Sequence, residues 1–378
     1  MRDRIYLCLA HMSGNEQKFI QEAFDTNWVV PLGPNVNGFE ADLEKFIGED
    51  KKIVALSSGT AAIHLSLVLL GVSHGDEVIC QSFTFCASAN PIVYCGATPI
   101  FVDSEDDTWN MSPVLLRKAI EDRIAKGKKP KAIVLVYLYG MPAKIDEILA
   151  IANEFDIPIV EDAVEALGSE YKGRRCGVFG KYSALSFNGN KIITTSGGGA
   201  LICPDEESKL KTVFYATQAR EKFPYYQHEE IGYNYRMSNI CAGIGRGQMT
   251  IIDDHIAHHR HVHETYKQSF DAIDGIELKS ACSPDFKPNY WLCTILVDEK
   301  KLGISNEQLR QYLDTKNIES RPLWKPMHLQ PIYKDAPAYI DGTSEHIYNC
   351  GLCLPSGPMV TDDDVHYIID SIKEAVIK

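Results

Sequence analysis

Lys191 lies in the stretch "SFNGNKIITTSGGGAL", residues 186–201, ahead of two β-branched pairs and three consecutive glycines. A solvent-facing lysine needs none of this. A lysine held close to a bound group, with backbone packed tightly around it, needs all of it. Upstream, "IPIVEDAVEALG" delivers Glu161 and Asp162 at the carboxyl end of the apolar run Ile157–Val160, with Glu165 three residues beyond Asp162. Ligands of open α/β sheets bind at such strand ends. Buried acids need partners, and a cationic ring nitrogen is a suitable one. In "LSSGTAAIHL" a strand ends and Ser58-Gly59-Thr60 opens a helix, so free N–H groups and the helix dipole form an anion site. Each feature alone has a plainer reading: a glycine turn with a Thr cap, a surface turn acid, an exposed loop lysine. Together they are the parts that a pyridoxal phosphate site requires. The lysine forms the Schiff base, the aspartate keeps the pyridine nitrogen protonated, and the helix terminus holds the phosphate.

The elements that must position these residues follow from periodicity. Ser13 with Glu16 reads as a capping box ahead of "QKFIQEAF" and predicts a helix there. From about residue 52 the pattern alternates: strand "KIVAL", helix "TAAIHLSLVLLG", strand "DEVICQ". "FCASANPIVYCG" reads as helical and broken at Pro91, and "TPIFVD" as a strand. The helix "SPVLLRKAIEDRIAK", the strand "KAIVLVYLYG", the helix "AKIDEILAIANEF" and the strand "IPIVED" continue the pattern. Apolar strands alternating with amphipathic helices mean right-handed βαβ units and a sheet covered on both faces. Past residue 181 the strands come closer together, and a long helical stretch begins near Ser238. Another composition starts near residue 272, with the strand "YWLCTILV", the helix "SNEQLRQYLDTKN" and a last helix after Thr361. The expected organisation is a large domain over 1–250 and a small C-terminal domain over 251–378.

Composition narrows the class. A chain of 378 residues exceeds the ~250–300 that one core supports. No apolar run reaches the ~18 residues of a membrane span, and the N-terminal run Ile5–Ala10 is shorter than a signal peptide core. A cytoplasmic protein is therefore expected. The eleven cysteines lack framework spacing, and Cys80, Cys86, Cys203 and Cys293 lie in apolar runs, which suggests reduced thiols. The lone C-x-x-C at Cys350–Cys353 has no partner pair. A net charge of −13 argues against nucleic acid or an anionic membrane as partner, but allows a small anionic substrate held by local positive groups. "GIGRGQ" at 243–248 does not follow a strand, so it is no dinucleotide fingerprint, and no P-loop motif occurs. "DDHIAHHRHVH" places His255, His259 and His263 on one helical face. Metal ligation is conceivable there, a solvated face is the favoured reading, and no metal is expected.

With "HMSGNEQ", "PLGPNVNGFE", "SSGTAAIHL", "SFTFCASANPI", "VYLYGMPAKIDEI", "IPIVEDAVEALGS", "SFNGNKIITTSGGG", "GYNYRMSNI" and "RPLWKPMHLQP", the chain resembles a known family over nearly its whole length. These are the pyridoxal phosphate-dependent sugar aminotransferases of the DegT/DnrJ/EryC1/StrS family, which act on nucleotide-linked keto-sugars. "SFNGNKIITTSGGG" with "RPLWKPMH" most resembles the branch that aminates C-4 of UDP-4-keto-6-deoxy-N-acetylglucosamine in bacillosamine-type and exopolysaccharide pathways. The resemblance implies an α/β fold of the aspartate-aminotransferase type (PLP fold type I). Its large PLP-binding domain has a mostly parallel central sheet, and a smaller α+β domain follows.

The same resemblance implies residue roles. Lys191 matches the Schiff-base lysine, Asp162 the ring-nitrogen partner, and Glu165 a group beside the ring oxygen or the acid–base machinery. Phe85 matches the aromatic stacked on the pyridine, and Gly59, Thr60, Ser186 and Asn190 match phosphate contacts. Asn234 matches a phosphate contact made from the neighbouring subunit, which implies a homodimer with shared active sites. Tyr233, Arg236, Lys325 and His328 lie in motifs facing the nucleotide-sugar, and L-glutamate is the family's usual amino donor. With Arg321, the cationic members would offset a diphosphate, while Trp324 and Tyr233 offer flat surfaces to sugar or base. Two departures stand out: Cys8-Leu9-Ala10 where relatives often carry Ser-Pro-Pro, and Val164 where alanine is usual. The expected function is therefore amination of a nucleotide-linked 4-keto-6-deoxy sugar for bacterial glycan synthesis. Other keto-sugars linked to dTDP or GDP, aminated at C-4 or C-3, are the nearest alternative. A sugar dehydratase of this fold would carry histidine in place of Lys191, and a regulator would need a basic helix-turn-helix module that the chain has no room for.

Overall fold

The computed structural model describes residues 2–376. Short aliphatic runs become strands: β1 (Lys52–Leu56), β2 (Glu77–Gln81), β3 (Thr98–Val102), β4 (Ala132–Val136) and β5 (Ile159–Asp162). Two-residue strands β6 (Glu170–Tyr171) and β7 (Arg174–Arg175) precede β8 (Tyr182–Ser186) and β9 (Gly199–Cys203). The C-terminal third adds β10 (Ile276–Leu278), β11 (Phe286–Lys287), β12 (Cys293–Val297), β13 (Arg321–Pro322), β14 (Ala338–Tyr339) and β15 (Gly351–Leu354). The main sheet runs β1-β9-β8-β5-β4-β2-β3-β14. It is parallel from β8 to β14, and only the pairs β1·β9 and β8·β9 are antiparallel. Strands β2 and β4 are buried at every position, as a sheet covered on both faces requires.

Helices α1 (Glu16–Asp25), α2 (Pro34–Ile47), α3 (Gly59–Leu69), α4 (Asn90–Tyr94), α5 (Pro113–Ala125), α6 (Ile145–Glu154), α7 (Glu206–Ala216), α8 (Asn239–Met249) and α9 (Ile252–Phe270) surround this sheet. Phe39, Leu43, Ile79, Ile133 and Phe187 share one core cluster, and Ile63, Leu67, Val78, Val134 and Leu201 share a second. A third core, with Tyr266, Phe270, Ile295, Leu313 and Ile368, lies around the sheet β10-β12-β15-β13. We propose the boundary between the large and small domains at residues 250–251, where α8 hands over to α9; β14 crosses back to pair with β3.

Several local expectations change. Glu16 accepts from the Ser13 and Gly14 amides at 2.7 and 3.0 Å, but Ser13 Oγ accepts from Asn15 N at 3.0 Å instead of reaching the helix. The motif is thus a turn ahead of α1 and not a reciprocal capping box. Pro91 opens α4 instead of breaking a helix, because a first-turn N–H has no intrahelical acceptor to lose. The stretch from Ser238 divides into α8 and α9 around Thr250-Ile251. The glycines of "GIGRGQ" are packing notches. A Cβ on Gly245 would lie 2.7 Å from the Phe39 ring, and one on Gly247 would lie 2.7 Å from Glu16 N. The face carrying His255, His259 and His263 is buried, not solvated. His255 Nδ1 meets Ile192 O at 2.8 Å and His263 Nε2 meets Lys279 O at 3.0 Å, so the spacing serves packing against two backbone segments.

Gly199 is the tightest point between sheet and helix. A Cβ there would fall 2.3 Å from both Ser58 C and Gly59 N. Gly199→Ala must therefore push β9 away from the start of α3, and is expected to cost about 1–3 kcal/mol of stability. Urea unfolding of the variant checks this; an unchanged midpoint would show that the backbones separate freely.

Candidate active site

The parallel strands end together, and that edge gathers the expected cofactor-side residues except Asn234. Val136 on β4 pairs with Asp162 on β5, and Asp162 pairs with Ala184 on β8. A cavity of about 440 Å³ opens there, lined by Gly59, Thr60, Phe85, Asp162, Glu165, Ser186, Asn190 and Lys191. Ser88, Val164, Trp291 and Trp324 line it as well.

The two adjacent acids at the end of β5 have opposite fates, because neighbouring residues of a strand point to opposite faces. Glu161 accepts from Tyr137 Oη at 2.6 Å and from the Gly177 and Gly180 amides at 2.7 and 2.5 Å, and is thereby spent on structure. Asp162 faces the cavity side. Its Oδ2 accepts from Ser88 Oγ at 2.6 Å. Since Ser88 uses its only hydrogen on Asp162, Thr84 Oγ1 donates to Ser88 Oγ, also at 2.6 Å. Burial pushes the Asp162 carboxyl up to about 6, against the Ser88 hydrogen bond, which favours the ionised form.

Lys191 Nζ stands 3.2 Å from Glu165 Oε1 and 3.6 Å from the centroid of the Trp291 ring. Glu165 Oε2 accepts from the Tyr139 amide at 2.7 Å, and Tyr139 presents that amide from a left-handed backbone (φ 54°). Such a conformation is costly outside glycine, and it clusters at functional sites. Trp291 is fixed in turn: its Nε1–H donates to Asn190 O at 2.6 Å, and its amide donates to Asn289 Oδ1 at 2.9 Å. The amine is thus clamped between a carboxylate and an aromatic face.

Ser58 caps α3 by accepting from Ala61 N at 3.0 Å, which leaves the Gly59 and Thr60 amides without intrahelical acceptors. Phe85 is 48% exposed, uncommon for phenylalanine, and tilts against Trp324 with ring centroids 5.3 Å apart. These features fit pyridoxal phosphate. The open amides suit a phosphate, Phe85 and Trp324 suit a flat ring, and Asp162, whose carboxyl is raised by burial and by the nearby Glu165, would gain a direct cationic partner from a protonated ring nitrogen.

Six expected residues are not brought to the cavity. Asn234 bridges Thr217, and Tyr233 stacks on Tyr235 at 5.1 Å and meets the His64 ring in a T-shaped contact. Arg236 Nη1 donates to Glu40 Oε1 at 2.7 Å and to Ala55 O at 3.1 Å, so its charge is paired inside the fold. His328 Nδ1 pairs with Ser82 Oγ at 2.6 Å, and Arg321 with Glu319. Lys325 is exposed and makes no ion pair among the described residues. Conversely, sequence reading missed Trp291, Tyr139 and Ser88 as site residues. Trp291 looks like strand core in "YWLCTILV", and Ser88 is one hydroxyl in an apolar run; neither carries a spacing signal.

A family model described as the DegT/DnrJ/EryC1/StrS aminotransferase family matches residues 11–373. EpsN of Bacillus subtilis (strain 168), named as a pyridoxal phosphate-dependent aminotransferase, is 47% identical over 374 residues, covering 98% of this chain and 95% of that protein. A GDP-perosamine synthase of Escherichia coli O157:H7 is 37% identical over 365 residues, covering 96% of each. Among solved structures, a DegT DnrJ EryC1 StrS aminotransferase from Brucella abortus superposes with a TM-score of 0.90 at 28% identity, covering 97% of this chain and 96% of that one.

The raised Asp162 carboxyl has a sign that can be measured. A folded pKa of about 6, above the unfolded value of 3.8, means that ionising Asp162 costs the cofactor-free protein stability as pH rises through that interval. Asp162→Asn is therefore expected to raise the melting temperature of the cofactor-free protein at pH 8, with the gain vanishing near pH 4, while activity falls by orders of magnitude. Thermal unfolding at the two pH values together with kcat checks this; a variant less stable at pH 8 would contradict it.

Proposed function

The chain belongs to the DegT/DnrJ/EryC1/StrS aminotransferase family and is a pyridoxal phosphate-dependent sugar aminotransferase, and from that premise we propose that it moves the amino group of L-glutamate to C-4 of UDP-4-keto-6-deoxy-N-acetylglucosamine. The observation carrying the catalytic part is Lys191 Nζ, clamped 3.2 Å from Glu165 in a cavity that also holds the buried Asp162. Bound there, pyridoxal phosphate supplies a carbonyl for the Lys191 amine and an electron sink for the pair released at carbon. Asp162 would hold a proton on the ring nitrogen, Gly59, Thr60, Ser186 and Asn190 would receive the phosphate, and Phe85 would pack against the ring. Lys191 Nζ takes the proton from the Cα of glutamate and, in the second half of the reaction, takes part in returning one to C-4 of the sugar. Glu165 keeps that amine in place between the two halves.

The sugar rests on the likeness of "SFNGNKIITTSGGG" and "RPLWKPMH" to the C-4 branch. Lys325, with Tyr233 and His328, is the remaining candidate to meet the nucleotide-sugar. A GDP-linked 4-keto-6-deoxy sugar is the second reading, favoured by the relative named GDP-perosamine synthase. Steady-state rates with UDP-, GDP- and dTDP-linked 4-keto sugars and glutamate, with NMR of the product, test the choice. The UDP-N-acetyl sugar is expected to give the highest kcat/KM and a 4-amino product; preference for the GDP-sugar, or amination at C-3, overturns it.

The proposal includes a cytoplasmic homodimer whose partner supplies Asn234. No helix among the described residues is long and apolar enough to cross a membrane. Exposed Trp28, Val29, Val30 and Leu32, together with Tyr225, Tyr226 and Ile231, are apolar surface that a second subunit would cover. Lys191→Ala and Asn234→Ala are each expected to be inactive as homodimers. Mixed heterodimers should regain activity, because one of their two sites contains both native residues; verified heterodimers without activity would place each site within one chain.

A further inference from the structure

The Lys191 loop forms no helix or strand between β8 and β9; turn contacts such as Lys191 N to Asn188 O and Thr195 N to Phe187 O, each 2.9 Å, shape it locally, and its placement against the rest of the fold is set from outside. Two buried side chains do this at alternate residues. Ile192 O accepts from His255 Nδ1 at 2.8 Å, and Thr194 N donates to Gln248 Oε1 at 3.2 Å. Both side chains then reach the same N-terminal segment. His255 Nε2 lies 3.1 Å from His11 Nδ1, and Gln248 Nε2 donates to His11 O at 2.8 Å and to Glu16 Oε1 at 2.7 Å. The chemistry leaves little choice of proton positions. A carbonyl only accepts, so His255 Nδ1 carries hydrogen. Burial disfavours the charged ring, so Nε2 accepts and His11 supplies its Nδ1–H. His255, Gln248 and Glu16 are each no more than 4% exposed, where water does not replace a lost partner.

We propose that His255 and Gln248 are positioning residues for the Lys191 amine: they latch Ile192 and Thr194 to residues 11–16 and keep the loop in one place whether the amine is bonded or free. The inference rests on the reading of Lys191 as the cofactor-bonding lysine. It also accounts for "HMSGNEQ" and for the first histidine of the α9 series, which the chemistry itself leaves unused. Neither residue lines the cavity, so each acts through the loop.

The test compares His255→Phe, which keeps a ring and loses the donor, with His255→Asn, whose Nδ2 occupies the place of the ring Nδ1. Gln248→Met removes the second latch at similar volume. Pyridoxal phosphate is added to cofactor-free protein, and its fixation to Lys191 by borohydride is followed by peptide mass, alongside kcat and KM. His255→Phe and Gln248→Met are expected to lower kcat and the fixation rate by about 10–100-fold with KM within about twofold, the cost of a misplacement near 1 Å, while His255→Asn stays within about threefold of wild type. Circular dichroism confirms folding; if His255→Phe does not fold, Gln248→Met decides. Folded variants with wild-type fixation and kcat overturn the inference, as does His255→Asn falling as far as His255→Phe, which would mean that ring packing alone matters. Wild type that fixes no cofactor on Lys191 overturns the cofactor reading itself, and this inference with it.

Discussion

A carboxylate taken out of water has to find compensation, and Asp162 finds only part of it within the protein. One serine hydroxyl at 2.6 Å, a distant backbone amide at 3.4 Å and the charge of the nearby Lys191 are what the fold offers, and the group remains pushed up to about 6. The adjacent Glu161 receives a tyrosine hydroxyl and two glycine amides. Burial raises the Glu161 carboxyl as well, so the contrast lies in the partners: three hydrogen-bond donors fix Glu161 in the structure, whereas Asp162 keeps acceptor capacity facing the cavity. The helix start at Ser58 and the clamped amine of Lys191 are arranged around the same cavity.

That arrangement depends on strand ends, which the sheet aligns. Because β4, β5 and β8 are parallel and in register, Val136, Asp162 and Ala184 come level, and the loops after them open on one edge. β9 returns antiparallel and brings Gly199 against Ser58 and Gly59, so the lysine loop and the helix terminus are forced together. A side chain at Gly199 would wedge them apart, which gives this last glycine of the run a steric reason, whereas a Cβ on Gly197 would meet open space.

The small sheet contributes more than cover. Asn289 and Trp291, just ahead of β12, reach under the lysine: Asn289 Nδ2 donates to Glu165 O at 2.9 Å, and Trp291 supplies the face on which the amine rests. Trp324, from the segment after β13, donates its amide to Tyr139 Oη at 2.9 Å and meets Phe85. The cavity is therefore shaped by residues far apart in the chain.

Much of this was legible in the order of residues. Alternation of apolar strands and helices specifies a parallel sheet, because strands buried on both faces must be apolar throughout. Strand-end chemistry specifies Asp162, the start of α3 and Lys191, because each needs only its immediate neighbours to be recognised. Whatever depends on a distant partner was decided by tertiary structure alone. Arg236 looked like a free cation until Glu40, from α2, took its charge. The histidine face of α9 looked solvated until the loop after Lys191 and the segment at Lys279 covered it. Trp291 carried no signal because a tryptophan in a strand is ordinarily core. Local patterns report what the backbone must do within a few residues; the partner of a charge or a ring is chosen by packing, which brings together positions that the sequence keeps apart.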